Sequence, residues 1–201
     1  MFGPRFARRM ATRYRKRGLD KTARRVVDLL PQADVLGATI LEIGGGVGEI
    51  QLELLKRGAA SATNLELSPA YDAEAAHLLA DAGLTGRVRR RLIDIVEDTV
   101  AVDVADIVVL HRVVCCYPDY AALLGVAADH TRHQLVFSHP PRNPISRAVV
   151  ATQNVLLRWA GREFRVFAHP PAAMLAVLAQ HGLRQAAAHR GLVWQVASVI
   201  R

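Results

Sequence analysis

Cysteine is almost missing from this 201-residue chain. Its two thiols, Cys115 and Cys116, are neighbours that cannot bridge each other without strain, which excludes a disulfide scaffold and leads us to expect a reducing, cytoplasmic setting. Long apolar runs are also absent. No stretch approaches the roughly eighteen uncharged apolar residues of a membrane span, and the opening segment MFGPRFARRMATRYRKRGLD has no apolar core of signal-peptide length. A soluble protein is therefore expected. There is no internal repeat, low-complexity tract or interdomain linker, and no motif asks for a metal. What remains is a chain that is 51% hydrophobic, enough to bury on the order of 70% of its unfolded surface around one core.

Positive charge is concentrated at the start. The first 25 residues hold ten Lys or Arg against Asp20 alone, so they account for the whole net charge of +8. A basic segment of this kind contacts nucleic acid or an acidic membrane, or is the solvated face of a helix docked through Phe6, Met10 and Tyr14.

Arg5 to Arg17 contains no helix breaker, and Ala23, Val26, Val27 and Leu30 recur at helical spacing, so the chain begins as two helices joined near Gly18 and closed by Pro31. Short apolar runs then follow at residues 38–43, 62–67, 88–93, 106–110 and 135–137. They read as strands buried on both faces, several of them separated by longer periodic segments. Val47, Ile50, Leu54 and Leu55 share one helical stripe after the first of them. Alternation of this kind implies a parallel sheet with right-handed crossovers. The tail, GLRQAAAHRGLVWQVASVIR, instead places two strand-like runs around HRG, as an antiparallel hairpin at the sheet edge would.

The stretch TILEIGGGVGEI carries four glycines in five positions between the first strand and the first helix of that sheet. Backbone comes close to a ligand at such a turn, because a Cβ would block the approach or the required dihedrals. The dinucleotide spacing G-x-G-x-x-G fails here. Starting from Gly44 it meets Glu49, whose carboxylate would repel a pyrophosphate at the helix N-terminus.

The spacing that does fit is E-x-G-x-G-x-G, through Glu42, Gly44, Gly46 and Gly48. With it the chain resembles the class I S-adenosylmethionine-dependent methyltransferases from about Gly37 to the C-terminus. The resemblance implies an α/β fold: a Rossmann-like, seven-stranded, mostly parallel sheet with an antiparallel C-terminal hairpin and helices on both faces. Residues 37–201 would form this domain, and residues 1–36 a basic N-terminal helical cap or lid in one unit with it. The resemblance also implies S-adenosyl-L-methionine as cofactor. Glu66, eighteen residues after Gly48, would accept both ribose hydroxyls, with Leu67 beside it; Asp94 would reach the adenine amino group, with Ile95 packed on the ring. Glu42 would take up the methionine ammonium, Tyr14 would fold over the cofactor, and Gly45 would need no more than flexibility. A carboxylate suits two adjacent hydroxyls in its own right, since charge-assisted hydrogen bonds are roughly twice as strong as neutral ones.

Beyond the fourth strand, His111 would line the transfer pocket, contact the cofactor or act as a general base, and His139, after the fifth strand, is the second candidate base. Cytosine C5-methylating enzymes place Pro directly before a nucleophilic Cys in this loop. Val114 stands there instead, so Cys115 and Cys116 read as small buried residues. HRVV does not resemble the N- or D-P-P-Y loop of amino-methylating enzymes acting on bases. The segment before the hairpin offers Trp159, Phe164 and Phe167 with Arg142, Arg147, Arg158, Arg162 and Arg165, which is either a mixture able to receive a planar or apolar molecule with an anionic group or ordinary amphipathic packing with the arginines facing solvent. The C-terminal layout is loosely similar to the magnesium-protoporphyrin and ubiquinone-biosynthesis methyltransferases. The expected activity is methyl transfer to a small molecule. The alternatives are nucleic-acid methylation with the basic arm on phosphates, and a methyltransferase-like protein that only binds. Oligomeric state is not written in these motifs.

Overall fold

The computed structural model describes residues 3–98, 102–159, 161 and 164–201. Helices α1 (Pro4–Arg17), α2 (Lys21–Asp28) and the single turn α3 (Gln32–Val35) precede the sheet. The sheet strands are β1 (Thr39–Ile43), β2 (Ser61–Glu66), β3 (Val88–Leu92), β4 (Ala105–Leu110), β5 (Thr131–His139), β6 (Arg184–His189) and β7 (Gln195–Ile200), in the order β3-β2-β1-β4-β5-β7-β6. β7 runs antiparallel to both neighbours, and the other pairings are parallel. The tail is therefore the expected hairpin, with β6 rather than β7 at the edge.

Helices α4 (Glu49–Lys56), α5 (Asp72–Asp81), α6 (Tyr120–Asp129), α7 (Pro144–Trp159) and α8 (Pro171–Gln180) complete the chain. Side-chain alternation along the strands feeds two cores. On one face Leu41, Leu110, Leu135 and Phe137 pack with Leu123 of α6 and Met174 of α8; on the other Ile40, Ile107 and Val136 meet Val26 and Val27 of α2 and Ile50 and Leu54 of α4. Gln134, buried on β5, donates to Leu29 O at 3.1 Å and so pins the end of α2 to the sheet.

α2 starts where the sequence places it because Asp20 Oδ1 accepts from the Thr22 and Ala23 N–H groups, at 2.8 and 2.9 Å. Gly18, at φ 68°, ends α1. A third cluster sets Ala7, Ala11 and Tyr14 of α1 against Val47, Leu52, Tyr71 and Leu78, which fastens the N-terminal helix over the start of α4 and α5.

β3 departs from the expectation of burial on both faces. It is an edge strand of sequence VRRRL with Arg89 and Leu92 exposed, and its Arg90 turns inward to donate from Nη1 to Gly46 O at 3.1 Å and from Nη2 to Asp72 Oδ1 at 3.1 Å. The periodic signal there comes from one inward face, with cations guarding the unpaired edge.

Candidate active site

The strand order reverses between β1 and β4, and a cavity of about 530 Å³ opens at their C-terminal ends. In open α/β sheets ligands enter at this switch point. One wall is the turn after β1, where Gly44 and Gly46 take φ of 65° and 55°. A Cβ on Gly44 would lie 2.5 Å from Val113 Cγ2. Gly45 is under a tighter constraint than flexibility, because a Cβ there would lie 2.2 Å from Asn64 Nδ2 and 2.8 Å from Glu42 Cδ. Gly48, at φ 82°, is the N-cap of α4 and does not line the cavity.

Three carboxylates at strand ends face this turn. Glu66 is locked in place: its Oε2 accepts from the Gly46 N–H at 2.9 Å, and its Oε1 accepts from the Leu67 and Ser68 N–H groups at 2.9 and 3.0 Å. Asp94 accepts from the Val96 N–H at 3.0 Å and from the Tyr117 hydroxyl at 3.0 Å. Glu42 is 2% exposed and accepts from the Gln51 N–H at 3.3 Å. Burial, reinforced by the nearby Glu49 and Glu66 charges, pushes Glu42 up to about 8 against the opposing pull of Arg90. Leu67 and Ile95 complete this end of the cavity.

The opposite wall gathers residues far apart in sequence: Phe6 and Met10 of α1, Gln153 of α7, Phe164, Val166 and Trp194. His111 and Arg112 join them from the end of β4. Arg112 holds φ 59°, a left-handed conformation for a non-glycine residue. Its N–H donates to Ser138 Oγ at 2.8 Å, its Nη2 pairs with Asp20 at 2.9 Å, and its guanidinium lies 5.2 Å from the Trp194 ring centroid. Burial of Asp20 opposes its charge, but the Ala23 N–H and Arg112 outweigh burial and hold it at about 2. Arg13 bridges Asp20 and Glu49, and burial pushes Glu49 up.

His111 Nδ1 lies 3.1 Å from Ser138 Oγ. Ser138 is fully buried, accepts the Arg112 N–H and hydrogen-bonds His111 Nδ1, so one hydroxyl anchors both residues. Burial, aided by Arg112, pushes His111 down to about 3. Its Nε2 is buried without a partner among the described residues.

Several expected residues lie elsewhere. Tyr14 does not line the cavity: its hydroxyl donates to Glu53 and accepts from Lys56 Nζ, tying α1 to α4, and burial with the Glu53 contact pushes it up to about 12. α1 reaches the cavity through Phe6 and Met10 instead. His139 is buried away from the lining, with Nδ1–H donating to Pro140 O at 3.0 Å and its ring stacked on Phe137; strand alternation gives Ser138, not His139, to the His111 side. Of the expected substrate wall, Phe164 lines the cavity, whereas Trp159, Phe167, Arg142, Arg147, Arg158 and Arg165 do not, and Arg162 lies outside the described residues. Cys115 and Cys116 both line it. Contact with Cys116 and burial push the Cys115 thiol up, which removes it as a nucleophile.

No family model matches the chain, and no curated protein matches it in sequence. Solved structures do. The chain is similar to magnesium protoporphyrin IX methyltransferase from Synechocystis with bound S-adenosylhomocysteine, at TM-score 0.74 and 18% identity over 90% of this chain and 82% of that one. The fold is that of the S-adenosylmethionine-dependent methyltransferases. An S-adenosylmethionine-dependent methyltransferase from Mesorhizobium loti is similar at TM-score 0.70 and 17% identity, over 92% of this chain and 100% of that one. An O-methyltransferase family 2 protein from Planctomyces limnophilus in complex with apigenin is similar at TM-score 0.71 and 18% identity; the whole of this chain spans 62% of its length. At such identities the methyltransferase fold is what the likeness carries, and the rest of the argument belongs to the residues.

Trp194, Arg112, Phe6 and Met10 went unmarked as pocket residues in the sequence, since no spacing links them to the glycine turn. Arg112 follows His111 directly, and a cation beside a strand-end histidine was the one available signal.

Proposed function

We propose that the protein transfers the methyl group of S-adenosylmethionine to a small-molecule acceptor. The observation that carries this reading is the convergence of the Gly44–Gly46 turn, Glu66 and the Asp94–Ile95 pair on one cavity at the sheet's switch point. The residues suit the cofactor's groups. Glu42 is a buried carboxylate short of a counter-charge, which an ammonium provides. Glu66 keeps lone pairs on two oriented oxygens for a vicinal diol, Asp94 offers an acceptor to an exocyclic amine, and Leu67 and Ile95 give apolar contact for a ring. The bound cofactor supplies an electrophilic methyl on sulfur, open to in-line displacement.

Positioning and exclusion of water fall to the chain itself. Phe6, Met10, Phe164 and Val166 give the cavity an apolar wall, and Arg112 with Trp194 shapes the side where an acceptor would sit. His111 lines the cavity as a neutral ring whose Nε2 is enclosed by the protein. With its ionisation near pH 3 it is too weak a base to deprotonate an alcohol at neutral pH. The acceptor therefore brings its own lone pair. The apigenin bound to one structural neighbour supports a small acceptor.

Calorimetry with S-adenosylmethionine tests the reading. Saturable binding by the parent chain and its loss in Glu66→Ala are expected, and a parent chain that fails to bind would remove it. Retention of affinity by Glu66→Ala would place the cofactor elsewhere.

A further inference from the structure

α7 is built inside out. Ser146, Val150, Asn154 and Leu157, spaced as one helical stripe, form its inner side and are only half-buried; no residue of the helix is buried. The outer side carries Ile145, Val149, Val155, Leu156 and Trp159, all exposed, with Trp159 at 84%. A helix lying in water puts its charges there. α7 has no acidic residue, and its two cations, Arg147 and Arg158, share one flank. The loop between β6 and β7 extends this apolar surface with Leu192, 96% exposed, and Val193.

α1 supplies the matching charge. Its Arg8, Arg13 and Arg15 are paired with Glu74, Asp20, Glu49 and Asp81. Arg5, Arg9 and Lys16 fall instead on one stripe and make no ion pair among the described residues. α1, α7 and the β6–β7 loop each contribute lining to the same cavity, through Phe6, Gln153 and Trp194. The elements that carry the exposed apolar and the unpaired basic side chains thus border one opening.

We infer that this rim docks on an anionic lipid bilayer, with the outer side of α7 and Leu192 at the boundary between headgroups and acyl chains and the Arg5–Arg9–Lys16 stripe over lipid phosphates. Only such a surface satisfies both halves at once. A second copy of the chain would set like charges face to face, and a nucleic acid would find on the outer side of α7 only Trp159 to stack on and gain little from burying Ile145, Val149, Leu156 and Leu192, because bases stack on aromatic rather than aliphatic side chains. The inference stands on the surface alone and is independent of methyl transfer.

Co-sedimentation of the full chain, without cofactor, with vesicles of phosphatidylcholine mixed with phosphatidylglycerol tests it against vesicles of phosphatidylcholine alone. Binding to the mixed vesicles, weakened by salt and nearly absent from the neutral ones, is expected. Arg5→Gln/Arg9→Gln/Lys16→Gln should lower that affinity roughly 100-fold, at about fivefold per cation. Ile145→Ser/Leu156→Ser, both at exposed positions, should lower it roughly tenfold with an unchanged melting curve. Trp159 emission should shift to the blue on mixed vesicles, and Trp159→Phe should abolish the shift. Four results would overturn the inference: no binding to mixed vesicles, binding indifferent to the α7 substitutions, a dimer that Ile145→Ser/Leu156→Ser dissolves, or tight binding of single-stranded RNA that the same substitutions leave intact.

Discussion

The two ends of the cavity are held by different kinds of structure. At the glycine turn the carboxylates of Glu66 and Asp94 are fixed by backbone N–H groups of the same or the next loop, and Glu42 is sealed beneath. At the opposite end Phe6, Gln153, Phe164 and Trp194 arrive from four separate segments, and α7 buries none of its residues. One end is pre-organised mainly by hydrogen bonds to backbone N–H groups, and the other is gathered from segments distant in sequence, two of them joined by reciprocal hydrogen bonds between Asn154 and Val166. Rigidity therefore lies where a constant molecule would be read, and looseness where a variable one would be.

Substitutions can break that contrast in either direction. The largest effect is expected from Glu66→Ala, which removes two charge-assisted contacts and should weaken S-adenosylmethionine about 100-fold in calorimetry, with the melting temperature showing that the chain stays folded.

Next comes Glu42. Its carboxyl titrates near 8 in the folded chain against about 4.5 in the unfolded one, so the folded state binds the proton more tightly and Glu42's contribution to stability is lost as pH rises between those values. In urea unfolding the difference between the parent and Glu42→Gln should grow as pH rises through this window, the two diverging by a few kcal/mol above pH 8. Binding of an ammonium-bearing cofactor should release a proton near pH 7, visible as a calorimetric heat that changes with the buffer.

Gly45→Ala should cost about 2 kcal/mol through its clash with Asn64 and Glu42, whereas Gly46→Ala, with its nearest neighbour 3.7 Å away, should cost about 1 kcal/mol for its positive φ. Equal costs in urea unfolding would contradict the packing argument. The smallest effect belongs to the opposite wall: Trp194→Ala should leave cofactor affinity within about twofold while raising the acceptor KM several-fold, which separates the two ends in one variant.

This contrast also governs what could be read in advance. The sheet was legible because strands buried on both faces give unbroken apolar runs, and the cofactor end because Glu42, Glu66 and Asp94 each lie within two residues of a strand end at a countable distance from the glycines. β3 defied the pattern since an edge strand needs only one apolar face, and Gly45 since its constraint comes from Asn64, a residue on the neighbouring strand. Tyr14 was placed on the cofactor by the resemblance of its helix to a lid, while its partners Glu53 and Lys56 lie on α4. His139 looked equivalent to His111 in position, but alternation along β5 turns it to the other face. α7 reads as an ordinary amphipathic helix; which of its sides meets the protein is decided by the fold around it.

The turn at Arg112 has one more consequence. A residue bearing a side chain at φ 59° stores on the order of 1 kcal/mol or more in its backbone, and here Asp20, Trp194 and Ser138 together hold the spring compressed. Replacing Arg112 by glycine would relax the backbone and cut its side-chain tethers in the same stroke, so the loop after β4 would become easier to form and harder to keep still. The shape of that corner is thus maintained from the far ends of its side chain, by an aspartate from the start of α2 and a tryptophan from the last hairpin.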